Sequence, residues 1–176
     1  MSPHVRHMCL CSQCVLMGPY LPVTSMIEFD DSHWPLWVVT FRDLPPRSGV
    51  ERFLANADVI FERQEPFAWL LHSVHTKAIP HQHRARYAEW IKDNHALLSK
   101  YCLGAGFVVP TVIGRLAMRS IFLLQPPPCP HAVMREIDAG RTWCLGRLDA
   151  NGLLDVSLRE ETSAHPGPRK SEPRGR

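Results

Sequence analysis

Two short apolar runs, FAWLL at 67–71 and GAGFVV at 104–109, constrain the fold of this chain most strongly. Uninterrupted apolar segments of this length are typical of strands that a sheet buries on both faces. Helix-like segments lie between and after them, so that strands and helices alternate along the chain. The alternation predicts a single α/β domain, with a mixed sheet of four to five strands and about four packed helices. We expect the two runs to be central strands.

Three further strands are predicted from their side chains. Residues 27–29 and 36–41 form a pair around the turn at 30–33, and the second strand is rich in Val, Thr and aromatic residues. Residues 132–134 form the last strand. The core therefore begins near Met26, which is also a candidate start of translation.

Two helices are predicted in the first half of the chain from apolar residues at helical spacing. Ser48 and Glu51 form a capping box, and the helix after it runs to about Gln64. A second helix begins in the turn at Pro80. Its apolar face is predicted to contain Tyr87, Ala88, Ile91, Leu98 and Cys102.

Two more helices are predicted from the residues in the second half of the chain. Thr111 caps a third helix, which ends at the run of prolines at 126–128. We expect its inward face to contain Val112, Ile113, Leu116, Leu123 and Leu124. Residues 138–148 read as a fourth helix, with Asp138 as its cap and Trp143 and Leu148 as anchors. A hairpin is the alternative, because Asn151-Gly152 is a strong turn signal, but a helix would cover the sheet.

Composition and charge exclude several classes of protein. The chain has 176 residues, of which 45% are apolar and 21% charged, as in an ordinary globular domain. The 20 basic and 17 acidic side chains leave a net charge of only +3, which is too small for a dedicated nucleic-acid binder. Since no apolar run approaches the roughly 20 residues that a bilayer requires, we expect no membrane span.

The two ends of the chain differ from its middle. Residues 1–25 form an irregular extension that lacks the unbroken apolar stretch of a secretory signal, so a cytoplasmic location is expected. The domain is predicted to occupy 26–148. Residues 149–176 are predicted to be a largely disordered tail, because the stretch TSAHPGPRKSEPRGR has nothing to bury.

Cysteine and histidine are the candidate metal ligands. Cys9, Cys11 and Cys14, with His4 and His7, supply soft ligands, but nothing around them predicts a folding unit. Cys102, Cys129 and Cys144 are predicted to be small buried hydrophobes. His72, His75, His81 and His83 would bind zinc only if they converged, and two of them are two apart on one helix, where side chains diverge by about 200°. We therefore predict neither a metal site nor a cofactor.

Certain phrases in the core resemble a known family. MIEFDDSHWPLWVVTF, YAEWIKDN, GFVVP and PPPCPHAV, together with the order of elements over about 26–148, resemble the SpoIIAA-like, or STAS, family of small α/β domains. These domains are related to anti-sigma factor antagonists. The resemblance implies a regulatory domain that acts through protein contacts.

The resemblance also implies where a regulatory site would lie. Signalling members carry an Asp-Ser pair at the mouth of the second helix, and the serine is phosphorylated. Pro80-His81 occupies that place here, so the phosphoacceptor is missing. The nearby candidates are Ser73, Thr76 and His81. We predict that phosphorylation of this loop does not control partner binding.

The function is predicted by weighing these features together. The motifs of nucleophile elbows, phosphate loops and dinucleotide turns are absent from the sequence, so no catalytic residue is predicted. Arg115 and Arg119 share one face of the third helix and, with Arg84 and Arg86, are candidates for a basic rim. The expected function is a non-enzymatic regulatory domain with a protein partner. The alternative is a carrier of a small apolar ligand or lipid, with the third helix as its lid.

Overall fold

The computed structural model describes residues 26–75 and 78–154. In chain order the elements are β1 (Ile27–Asp30), β2 (Leu36–Phe41), α1 (Arg47–Val59) with a 3-10 turn at Ile60–Arg63, β3 (Phe67–Ser73), α2 (His81–Asp93), α3 (His95–Tyr101), β4 (Cys102–Val108), α4 (Val112–Leu124), β5 (His131–Met134) and α5 (Ile137–Asp149). The predicted extension at 1–25 and the segment 155–176 lie outside the described residues. Leu153 and Leu154 pack against the core, so ordered packing continues past residue 148.

The strands form one mixed sheet in the order β1-β2-β3-β4-β5. β1 runs antiparallel to β2, and each later strand is parallel to the one before it. β3 is the middle strand, and its residues Phe67 and Leu70 are almost completely buried. The predicted α/β class and the central places of the two apolar runs are therefore confirmed.

The topology places the helices on two sides of the sheet. A connection between parallel strands is right-handed, so consecutive connections between neighbouring strands cross the same face. The helices α1 to α4 accordingly lie on one face, while α5 packs on β3 and β4 from the other. Because side chains alternate along a strand, Trp69 belongs to the core between the sheet and the helices α1 to α4, and Leu70 belongs to the core between the sheet and α5.

Glycines let α5 lie close to the sheet. A Cβ on Gly140 of α5 would lie 2.4 Å from Val108 Cγ2, and one on Gly106 of β4 would lie 2.8 Å from Cys144 Sγ. Cys144 and Leu148 are fully buried in this interface. Segment 137–149 is thus helical, as favoured over the hairpin, while Gly152 forms the predicted turn with a φ of 71°.

Two predicted caps are wrong. Helix α1 begins at Arg47, and the Pro46 carbonyl accepts from the amides of Gly49 and Val50, so Ser48 lies inside the helix instead of capping it. Helix α5 has Glu136 at its N-cap, which places Asp138 in the first turn. In contrast, the Thr111 cap of α4 is confirmed, because its hydroxyl accepts from the Gly114 amide at 3.0 Å.

The long second helix is in fact two helices. The helix is interrupted at Asn94, whose side-chain amide donates to Asp58 and to the Trp90 carbonyl. Cys102 consequently begins β4 instead of ending a helix. Periodicity missed the break because the apolar residues of α3 continue the spacing of α2.

The predicted inward face of α4 is also wrong. Its five residues, Val112, Ile113, Leu116, Leu123 and Leu124, are 58–86% exposed. The buried residues are instead Gly114, Ala117 and Ile121. The helix is apolar around most of its circumference, so hydrophobic periodicity alone does not identify the side that faces the sheet.

Candidate functional site

An apolar cavity of about 120 Å³ lies between the sheet and the helices α1, α2 and α4. It is placed at the carboxyl ends of β2, β3 and β4, where open parallel sheets commonly bind ligands. The residues that form its floor and walls include Phe41, Phe53, Trp69, Leu71, Ser73, Ile79, Tyr87, Trp90, Ile91, Leu98, Ala105, Phe107 and Val109. Met118, Ile121 and Phe122 of α4 close it from above.

The strand register explains why space is left here. Trp69 of β3 pairs with Ala105 of β4, and Leu71 pairs with Phe107. Ala105 is therefore a small side chain in the floor, among large ones on the same face of the sheet. Ala105 lines the cavity together with these larger side chains.

Stacked and edge-on aromatic rings make the walls rigid. The ring of Trp69 lies 6.0 Å from that of Phe53 and 5.9 Å from that of Trp90. Contacts of this kind stabilise a pair by about 0.5–1.5 kcal/mol beyond the area that they bury. Such walls do not easily collapse into the space that they enclose.

Two buried polar atoms belong to residues of the cavity wall and lack a hydrogen-bond partner among the described residues. They are Trp69 Nε1 and Ser73 Oγ. The equivalent atom of Trp90 donates to Asp58 Oδ1 at 2.7 Å, so the Trp69 indole is unusual in this core. Burial raises the pKa of Tyr87, which keeps its phenol neutral and able to donate. A buried donor without an acceptor costs about 1–3 kcal/mol.

The roof, α4, is fixed by polar contacts at its start and in its third turn. Arg115 Nη1 donates to the carbonyls of Val109 and Pro110, at 3.0 and 2.8 Å. Arg84 Nη1 of α2 donates to Ser120 Oγ at 2.9 Å. These contacts hold the roof to α2 and to the end of β4.

An unfilled cavity of this size lowers the stability of the domain. At about 24 cal/mol per Å³ of enclosed volume, about 120 Å³ corresponds to at most about 3 kcal/mol. That is a large part of the 5–15 kcal/mol that typically separates folded from unfolded states.

Two of the three predicted regulatory residues lie in the described part of the chain, in different environments. Ser73 ends β3 beside the cavity, with its hydroxyl buried. His81 is the exposed first residue of α2, next to the N-cap Pro80, so neither of these two residues brings a hydroxyl to the start of the helix. Thr76 lies outside the described residues.

The histidines do not converge. His72 shares the face of β3 that α5 covers, whereas His81 and His83 belong to α2 on the opposite side of the sheet. Burial lowers the pKa of His72, which favours its neutral form. In the parts of the chain that the structure describes, no group of three or more His, Cys, Asp or Glu side chains could hold a metal ion.

The four candidate arginines do not form one rim. Arg84 points to α4, while Arg86 pairs with Glu51 of α1 at 3.1 Å. Arg115 and Arg119 lie along one side of α4, as their spacing predicts. Only this pair remains together on one surface.

The three cysteines of the described chain are free and buried, as predicted. Cys129 lines the cavity, and a hydrogen bond from the Cys102 thiol lowers its pKa. The same bond raises the pKa of Cys102. On the other side of the sheet, burial raises the pKa of Cys144 to about 12.

No family model, curated protein or solved structure matches the chain. Within 26–75 and 78–154, no helix is both long enough and apolar enough to cross a membrane. The functional conclusion therefore depends on the geometry of the cavity and of the surface of α4.

Sequence patterns did not reveal the cavity. Its floor consists of residues that read as ordinary core, such as Trp69 and Ala105. The sequence offers one sign of it, the small residue Ala105 near the start of the second apolar run. Register decides whether such residues fill space or enclose it, and register is a property of the folded sheet.

Proposed function

We propose that this domain binds a small, mostly apolar molecule in the cavity beneath α4. The observation that carries the proposal is an apolar cavity of about 120 Å³ that is partly open to solvent. Natural cores rarely leave voids larger than a water molecule, and an apolar cavity of about 150 Å³ in another protein stays dry and binds benzene. A ligand would replace the dispersion contacts that the cavity wall lacks.

The lining defines the chemistry of the ligand. A single aromatic ring or a short branched acyl group has a suitable volume, and the rings of Trp69 and Phe53 offer faces for it to pack against. The accessible lining is almost entirely apolar, so a molecule without polar groups is favoured over one that carries them. A charged headgroup would have no buried counter-ion here and would have to extend toward Asp43 and Pro45 at the edge of the cavity.

Titration with two probes of known size tests the proposal. Benzene and acetophenone, which adds a carbonyl acceptor, are added to the isotope-labelled full chain while amide and methyl resonances are followed. We expect saturable shifts at Leu71, Ala105 and Ile121, and weaker binding of acetophenone, because its carbonyl loses hydrogen bonds to water in an apolar cavity. No saturable shift at these residues with either probe would contradict the proposal.

Two variants provide the comparison. Ala105→Leu fills the floor and is expected to abolish the saturable shifts. Ala55→Leu makes the same change at an exposed position of α1 and should leave them unchanged. Equal binding to Ala105→Leu and to the unaltered chain would place the probe somewhere other than the cavity.

A regulatory domain that acts through protein contacts is the second candidate. It is supported by the exposed apolar residues of α4 and by the resemblance to the SpoIIAA-like family. The absence of a hydroxyl at Pro80 and His81 supports the further proposal that such binding is not controlled by the family's serine phosphorylation. This function predicts a stoichiometric protein partner after gentle purification and no retained small molecule.

A further inference from the structure

The side of α4 that faces away from the cavity exposes an apolar surface. We call it the outer stripe: Val112, Ile113, Leu116, Leu123 and Leu124, which are between 58% and 86% exposed. At roughly 100 Å² for each side chain, the stripe amounts to about 500 Å², near the upper end of what a soluble monomer shows. None of the described elements packs over it. A surface of this size indicates a contact partner.

The stripe is continuous along the helix. At about 100° per residue, its side chains cover an arc of about 120°. Ser120 falls within this arc, but its hydroxyl donates to the Ala117 carbonyl at 2.6 Å and accepts from Arg84 at 2.9 Å. Its hydrogen-bonding capacity is thus directed toward the protein, and the stripe has no polar break.

Basic residues border the stripe. Arg115 and Arg119 lie along one edge of it, about 20° to 60° from Val112 on the helix circumference. Residues 94–135, which include all of α4, contain no Asp or Glu, and their charged residues are Lys100, Arg115, Arg119 and Arg135. The neighbouring helix α2 has no carboxylate before Glu89. The electrostatic complement of this region is therefore negative.

The composition of the stripe distinguishes between partners. The residues that contribute most binding energy to protein interfaces are enriched in Trp, Tyr and Arg, whereas Leu and Val are under-represented among them. The stripe has only aliphatic side chains at its centre and arginines at its edge, with no aromatic residue. Helices that lie in the surface of an anionic bilayer share this arrangement of apolar face and basic flank.

We infer that the outer stripe of α4 docks on the surface of an anionic lipid bilayer, with its leucines in the acyl boundary and the exposed Arg119 against the headgroups. Arg115, whose Nη1 is bound to the Val109 and Pro110 carbonyls, adds positive charge at the same edge. The helix lies parallel to the membrane and does not cross it. The inference goes beyond ligand binding in the cavity, because it uses the opposite face of α4. Occupation of the stripe would place the roof of the cavity directly at the lipid surface.

Co-sedimentation of the full chain with vesicles tests the inference. Vesicles of phosphatidylcholine alone are compared with vesicles of phosphatidylcholine and phosphatidylglycerol in equal parts, at low and at high salt. We expect binding to the mixed vesicles, weakening as salt is added. The double variant Leu116→Asp, Leu123→Asp should bind about tenfold more weakly, because two charges replace the side chains that enter the acyl boundary.

Two further variants make the test specific. Arg119→Gln should weaken binding to the mixed vesicles about fivefold, the equivalent of ~1 kcal/mol for one basic residue, and should reduce the salt dependence. Val59→Asp changes an apolar residue of α1 that is 54% exposed and should leave vesicle binding unaltered. Ala105→Leu, which fills the cavity, should also bind vesicles normally, so failure of this inference and failure of ligand binding are distinguishable.

Three results would overturn the inference. The first is absence of sedimentation with either type of vesicle, and the second is vesicle binding that the double variant does not change. The third is a dimer, or a stoichiometric complex with another protein, that the double variant abolishes while lipid binding is absent. That last result would assign the stripe to a second copy or to a protein partner.

Discussion

Filling the cavity separates a site that is kept open for a ligand from one that is merely an imperfection of packing. Ala105 of β4 is the residue to change, because it is 3% exposed, lies in the floor of the cavity and pairs with Trp69 of β3. Ala105→Leu adds three carbon atoms to the open volume. The prediction is a more stable domain that no longer binds benzene.

The size of the effect follows from the cavity. Complete filling of about 120 Å³ would recover at most about 3 kcal/mol of unfolding free energy. Leucine fills only part of the space, and side-chain strain in a rigid aromatic wall offsets some of the gain. The expected net gain is about 1 kcal/mol, which raises the Tm by about 2–4 °C in a domain of this size.

Thermal unfolding with and without benzene measures both consequences. At a benzene concentration ten times its Kd, the unaltered chain should gain about 1.4 kcal/mol, or about 3–6 °C in Tm. Ala105→Leu should gain nothing from benzene, and Ala55→Leu should respond as the unaltered chain does. Benzene stabilisation of equal size in Ala105→Leu would refute the reasoning, as would a loss of several kcal/mol in that variant without benzene.

Three further predictions concern single residues. Ser73→Ala should raise the free energy of unfolding in denaturant by about 1 kcal/mol, because it removes a buried hydroxyl without a partner; a phosphosite map of protein from growing and starved cells should find no stoichiometric phosphate on Ser73, and finding one would contradict the account. Burial lowers the pKa of His72 below 6.5, so the stability that depends on its neutral form is complete above pH 6.5 and is lost as the pH falls toward the lower folded-state pKa. His72→Gln should flatten a plot of Tm against pH in that range, and an unchanged slope would contradict this role of His72. Gly140→Ala should lower the free energy of unfolding by about 2 kcal/mol, because its Cβ would meet Val108 Cγ2 at 2.4 Å. Gly146→Ala, whose Cβ would have nothing within 4 Å, should be neutral or stabilising. Equal effects of the two changes in denaturant unfolding would be inconsistent with the close packing of α5.

Most of the sheet was predictable from sequence. The runs at 67–71 and 104–109 are apolar throughout, and short strands of this kind are stable where a sheet is buried on both faces. The helix predicted at 138–148, found at 137–149, was favoured over a hairpin because it would cover the sheet and complete the alternation of strands and helices. The break at Asn94 was not predictable from periodicity, because it depends on the contact of that side chain with Asp58 across the layer.

The site was much less accessible to sequence reasoning. Leu116 and Leu123 were predicted to face inward because apolar residues usually do, yet α4 is apolar on both sides and packs through Gly114 and Ala117. Small residues allow a helix to approach its neighbours closely, which is a tertiary effect that hydrophobic periodicity does not record. The sequence did predict that this helix could be a lid over an apolar ligand. It assigned to the inner face the residues that the structure places on the outer face.

The most direct test of the central claim is native mass spectrometry of the full chain purified without denaturants from its own host. Ligand binding in the cavity predicts a second mass that exceeds the protein mass by that of one small molecule, disappears on denaturation, and is absent from Ala105→Leu purified in the same way. A single ligand-free mass for both proteins, with a stoichiometric protein partner recovered in the same preparation, would contradict the claim and favour the regulatory function.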